Sequence, residues 1–175
     1  GDRIGWEEGF GFADQENGIK ASAHTVYRVG AISKLFTSIA TLQLAESGAV
    51  DVDAPLAEYL PGFQLNASPL EQAEGGSQEE EITLRSILTH RSGIPQDYFD
   101  RMFSDNPRDY QEYVDLLRSE FATSPPNTAY SYSNVAMTLL GHMVEEVSQE
   151  QFSERIQKQI LDPVGMPSSS FELTA

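Results

Sequence analysis

From Ile32 to Ser47 the apolar residues Ile32, Leu35, Phe36, Ile39, Ala40 and Leu42 recur at helical spacing, and Gly48 stands where such a helix would stop. The apolar positions run around much of the girth, which predicts a central helix with cover on more than one side. Little else in the chain reads as sheet. Residues 4–13 mix aromatics with glycines and predict one strand crossed closely by neighbouring backbone, and a second strand is predicted to begin at Ser169 to Leu173. Helical pieces are predicted from Leu56 to Tyr59, from Thr83 to His90, from Pro107 in a first turn to about Glu120, along Val135, Leu139, Met143 and Val147, and along Phe152, Ile156 and Ile160. Pro125-Pro126 predicts an extended lead-in to Tyr132.

A helical layer must bury its apolar face, and strands this few leave it uncovered. The reading is therefore an α+β chain, helices packed on an antiparallel sheet, with mostly the helical part present and the sheet incomplete. Residues 1–175 form one partial domain, 66–81 an acidic surface loop inside it, and the polypeptide is expected to continue past Ala175. There is no internal repeat.

Composition narrows the function classes. The net charge is −16, and the basic residues are eight Arg and three Lys, so the surface repels a polyphosphate backbone and argues against nucleic acid as a partner. No cysteine is present, which removes disulfides, thiol nucleophiles and Cys-ligated zinc. No His-Glu-x-x-His, phosphate loop or calcium loop occurs, so no cofactor or metal is expected. No apolar run is long enough to cross a bilayer as a helix, and the first residues do not read as a signal segment.

Three stretches carry chemistry. The first is Thr25-Val26-Tyr27-Arg28-Val29-Gly30-Ala31-Ile32-Ser33-Lys34-Leu35-Phe36; the second is Tyr132-Ser133-Asn134, preceded by Pro126 to Ser131; the third runs from Ile82 through Leu88-Thr89-His90-Arg91-Ser92-Gly93 to Pro95. In a helix residues three apart share a face, so positions 31 and 34 would address one small volume. The start of a helix, between Ile32, Leu35 and Phe36, is a setting that disfavours an ammonium ion on Lys34.

Together these stretches resemble the Ser-x-x-Lys and Tyr-x-Asn motifs of serine β-lactamases and penicillin-binding proteins, in the branch of class C β-lactamases, D-Ala-D-Ala carboxypeptidases and family VIII esterases. The resemblance runs from about Gly5 to Leu173. It implies a serine hydrolase working through an acyl-enzyme on a small-molecule or peptide substrate: a β-lactam, a D-amino-acid peptide or an ester. Position 31 would be the nucleophile, Lys34 and Tyr132 would move protons, the Asn134 amide would bind substrate, and the backbone N–H of position 31 would serve an oxyanion. Tyr130 is the second choice for the phenol. The resemblance also implies a periplasmic, secreted or membrane-anchored setting.

Two departures stand out. The strand-borne Lys/His-x-Gly motif is absent, and it would belong to the missing C-terminal part of the same polypeptide, the one protein partner expected. Ala31 stands where the family has serine, so the chain as given should not acylate; Ser33, adjacent to Lys34, is a weak substitute. Alanine leaves helix geometry undisturbed, as an inactivating substitution would, and a natural non-catalytic relative would carry the same residue. Two rivals follow: a pseudoenzyme that binds a peptidoglycan-like ligand or a protein partner, and a helical interaction domain whose motifs match by chance, which would hold Lys34 and Tyr132 far apart. His90 reads as an architectural, hydrogen-bonded histidine, and His24 and His142 carry no motif. Nothing in the sequence sets the oligomeric state.

Overall fold

The computed structural model describes residues 3–69, 72, 81–102 and 104–172, and the chain divides into two units, Gly1–Ile32 and Ser33–Ala175. In the first unit β1 (Phe12–Asp14) pairs antiparallel with β2 (Ile19–Lys20), Phe12 opposite Lys20 and Asp14 opposite Ile19. The Asp14 carboxylate closes the turn by accepting from the Asn17 backbone N–H (3.0 Å) and from its Nδ2 (2.6 Å). Gly18, at φ +68°, completes the reversal in a conformation that costs other residues strain.

The strand expected over residues 4–13 is thus confined to its end and has a partner. Gly11, at φ +76°, breaks the extended run just before β1. The expected close crossing does occur at Gly9, where a Cβ would lie 2.4 Å from the Ala21 carbonyl oxygen. Trp6, Phe10, Phe12, Ile19 and Val26 are all exposed, while Ala21 is buried.

The second unit is helical. A 3-10 turn at Gly30–Ile32, the last residues of the first unit, leads along the chain into α1 (Ser33–Glu46); then come α2 (Leu56–Tyr59), α3 (Leu84–Leu88), α4 (Tyr110–Leu117), α5 (Asn134–Ser148) and α6 (Phe152–Ile156), the last continuing as a π turn at Gln157–Leu161. The hub is α5, against which α1, α2, α3, α4 and α6 all pack. Its Leu139, Leu140, Met143 and Val144 are fully buried, together with Leu56, Leu84, Ile87, Leu117 and Ile156 from the surrounding helices. Gly141 lets Tyr110 approach, since a Cβ there would meet the Tyr110 hydroxyl at 3.1 Å, and the Tyr110 ring stacks on His142 at 5.1 Å. Burial pushes the Tyr110 phenol up to about 12.

Several boundaries differ from those expected. Helix α4 starts three residues after Pro107, because Asp109 and Glu112 form a capping box: Asp109 Oδ1 accepts from the Glu112 N–H (2.8 Å), and Glu112 Oε2 accepts from the Asp109 N–H (3.0 Å). Pro126 opens a turn rather than an extended lead-in, with Asn127 at φ +63°. Residues 169–172 form no strand, and Leu173 lies outside the described residues, as does most of the 66–81 loop.

Helix α1 is covered on one face only. Thr37, Ala40, Thr41 and Leu44 are buried, whereas Leu35 and Leu42 are more than half exposed. Its termination follows the sequence, with Gly48 at φ +76° and the Ala49 N–H bonded to the Leu44 carbonyl (2.9 Å).

Candidate active site

The second motif is shaped by a helix cap. Ser133, fully buried, is the N-cap of α5: its Oγ accepts from the Ala136 N–H (2.9 Å) and donates to the Pro95 carbonyl (2.7 Å). The Asn134 and Val135 N–H groups both reach the Gln96 carbonyl, at 2.9 and 3.2 Å. These bonds satisfy donors that a helix start leaves open, and they tie Tyr132 and Asn134 to the segment after the third motif.

The 82–95 stretch is itself a tight reversal. Thr83 caps α3 by accepting from the Ser86 N–H (3.1 Å), and the chain turns at His90, whose φ is +55°. The carbonyls of His90, Arg91 and Gly93 then accept from Ser131 (2.7 Å), Asn127 (2.7 Å) and Thr123 (2.8 Å). Gly93, at φ +73°, has no room for a side chain, since a Cβ would lie 2.1 Å from the Ser124 carbonyl oxygen. The two motif-bearing loops therefore form one hydrogen-bonded unit.

Lys34, in the first turn of α1, places its Nζ 4.8 Å from the centroid of the Tyr132 ring. Both side chains are half-buried. A cation this close to a phenol face is attracted by the ring quadrupole. Tyr130 lies off this pair, largely exposed and edge-on to His90 at 5.9 Å. The distant placement that a chance match of motifs would give is not seen.

Asn134 donates its Nδ2 to Asp97 Oδ1 at 2.6 Å. A carboxylate only accepts, so this bond fixes which end of the amide faces Asp97. Ala31 belongs to the first unit, in the turn Gly30–Ile32, where it is exposed and Gly30 has φ +54°.

Two further residues stand at this site, His90, read from the sequence as an architectural, hydrogen-bonded histidine, and Asp97, which no motif contains. His90 packs its ring on Tyr132, centroids 4.5 Å apart and planes 37° apart, and its Nδ1 accepts from the Ser133 N–H at 3.3 Å. Burial, then the charge of Lys34, holds the imidazole below its ordinary value. Asp97 is the other, and no spacing in the sequence marks it. Among the described residues no group of His, Asp and Glu side chains could hold a metal ion, and no helix is long and apolar enough to cross a membrane.

Lys34, Tyr132 and Asn134, named from separate motifs, thus stand together at the start of α5. The chain belongs to the beta-lactamase family, whose pattern it matches over residues 1–175. Among curated proteins it is similar to Protein flp of Staphylococcus aureus, 28% identical over 169 residues, which covers 95% of this chain and 32% of that protein. Among solved structures it resembles the penicillin binding protein from Bacillus halodurans (27% identity, TM-score 0.78, covering 100% of this chain and 54% of that one). It also resembles the class C beta lactamase from Rhodobacter sphaeroides (30% identity, TM-score 0.65, 89% and 40%). The fold is thus β-lactamase/transpeptidase-like, and the chain spans about a third of the length of the curated relatives it matches.

Proposed function

We propose that this chain carries the helical part of a serine hydrolase site for acyl transfer to water. The observation that carries the reading is the Lys34 Nζ held 4.8 Å from the Tyr132 ring centroid. In the serine form, the hydroxyl at position 31 attacks the carbonyl carbon of a β-lactam, a D-amino-acid peptide or an ester. Its proton passes to the Lys34–Tyr132 pair, and the pair returns a proton to the departing amine or alkoxide. Water then cleaves the acyl-serine ester by the reverse use of the same pair. Asn134, oriented by Asp97, presents its amide to the substrate, and the N–H of position 31 serves the oxyanion.

With Ala31 the chain has no hydroxyl at that position and is proposed to be inert. The rest of the sheet, with the strand-borne Lys/His-x-Gly motif, is proposed to come from the same, longer polypeptide, in keeping with the third of its relatives' length that the chain spans and with the exposed Leu35 and Leu42 of α1. A periplasmic, secreted or membrane-anchored setting belongs to the same reading, and fractionation of the source cells tests it.

The deciding experiment is intact-mass spectrometry of the longer polypeptide, with Ala31 and with Ala31→Ser, after incubation with a penicillin and with an activated ester. A covalent adduct on the serine form alone is expected. No adduct with either probe, in folded protein, would sink the reading. Ala31 itself favours one second reading, a pseudoenzyme that binds a peptidoglycan-like ligand or a protein partner; tight, saturable binding without turnover by the Ala31 protein would support it.

A further inference from the structure

His90 touches the proposed proton-transfer pair without belonging to it. Its ring lies 4.5 Å from that of Tyr132, its Nδ1 accepts from the Ser133 N–H, and its own carbonyl accepts from the Ser131 N–H. Three consecutive residues, Ser131 to Ser133, are therefore anchored on one histidine. The backbone at His90 is left-handed, a conformation in which histidine and asparagine are over-represented among non-glycine residues.

We propose that His90 is a positioning residue for Tyr132: a neutral imidazole, protonated on Nε2, that fixes the phenol ring against the Lys34 ammonium. The tautomer follows from the hydrogen bond. Nδ1 must offer its lone pair to the Ser133 N–H, so the one remaining proton sits on Nε2. A doubly protonated ring would lose that acceptor and would add a second cation beside Lys34. The titratable groups in contact with the ring are Tyr130 and Tyr132, with Lys34 close enough to act on it through its charge. Burial and the charge of Lys34 oppose protonation, in agreement with the geometry. The contact the imidazole makes with the pair is with the Tyr132 ring, and it acts through that ring.

The inference rests on the proposed function for its meaning, but its test reads geometry and needs no turnover. His90→Asn is the informative variant, because asparagine accepts the left-handed backbone and offers its Oδ1 in place of Nδ1 while removing the ring. In the 175-residue chain, labelling of Lys34 by an amine reagent is followed by peptide mass spectrometry, and the Tyr132 ring is followed by carbon-13 NMR. The expected result is a folded variant, with unchanged circular dichroism, in which the Tyr132 resonance moves and Lys34 labelling changes roughly two- to fivefold, as loss of a half-exposed cation–π contact would give. Unchanged labelling and an unmoved resonance would overturn the proposal.

A second measurement needs no variant. Long-range proton–nitrogen spectra of the unsubstituted chain near neutral pH report the tautomer of His90. The Nε2–H form with ring-to-ring contacts to Tyr132 is expected, and an Nδ1–H or doubly protonated ring would overturn the proposal. An adduct-free Ala31→Ser protein in which both measurements come out as expected would reject the hydrolase reading while leaving the positioning contact standing.

Discussion

Asp97 Oδ1 accepts a 2.6 Å hydrogen bond from Asn134 Nδ2, so the side-chain amide at the start of α5 is held by a carboxylate from the loop between α3 and α4. Both residues are half-buried, which leaves the bond shielded from water in part. Replacing Asp97 with alanine strips the amide of this partner and is expected to lower stability by about 1–2 kcal/mol, the range for a charge-assisted hydrogen bond discounted for partial exposure. Urea unfolding measures this, and Asp97→Asn should recover part of the loss because its carbonyl still accepts. If Asp97→Ala matched the parent within error, the bond would not restrain Asn134.

Ser133 bears on both loops at once. Its hydroxyl caps α5 through the Ala136 N–H and donates to the Pro95 carbonyl, with no exposure to water. Ser133→Ala leaves a buried donor and a buried acceptor unpaired, and the expected cost is about 2–3 kcal/mol, above the usual value for an exposed cap. Thermal and urea denaturation should agree on the sign. A cost as small as that of removing an exposed cap would mean that Pro95 and Ala136 find other partners.

A histidine held below its ordinary value binds fewer protons folded than unfolded. For His90 the associated stability is present above the unfolded value near 6.5 and is lost as pH falls from there toward the depressed folded value. Asp53, Asp100 and Glu112 are also held low, chiefly by hydrogen bonds from Arg85, Arg108 and Arg101, but their ordinary values are 3.8, 3.8 and 4.5, so they act at lower pH. Urea midpoints of the parent should therefore rise as pH climbs from the acid side toward about 6.5, and the rise should be shallower in His90→Asn. Parallel profiles for the two proteins would contradict the direction of the shift.

How much of this was legible in the sequence depended on whether the signal was local. Helices α3 and α5 lie where apolar spacing puts them, α3 ending two residues before the expected His90, and Thr83 and Ser133 cap their first turns. The start of α4 was equally local, in Asp109 and Glu112 three apart, but Pro107 drew the boundary too early. The first-unit strand is shorter than its aromatic content suggested, since Gly9 and Gly11 supply crossing and turning rather than a ladder. Lys34 and Tyr132 could be named in advance only through the motifs that contain them. The contacts of His90 on Tyr132 and of Asp97 on Asn134 arise from a loop folding over a helix cap, and no spacing along the chain encodes that.

Apolar periodicity predicted α1 as a central helix covered on more than one side, whereas one face alone finds cover and α5 is the hub. Leu44 is 4% exposed and Leu42 52% exposed, although the two are equally apolar and lie in the same helix. Leu44 packs in the core that α5 organises, so Leu44→Ala removes buried methyl groups and leaves a cavity, with an expected cost of ~2–4 kcal/mol. Leu42→Ala should stay within ~0.5 kcal/mol in this chain, because its side chain already faces water. If the proposed remainder of the sheet covers that face in the longer polypeptide, Leu42→Ala should become costly there while Leu44→Ala changes little. Urea unfolding of the two variants in the two lengths of chain makes the comparison, and a Leu42 effect that is the same in both would place the sheet elsewhere.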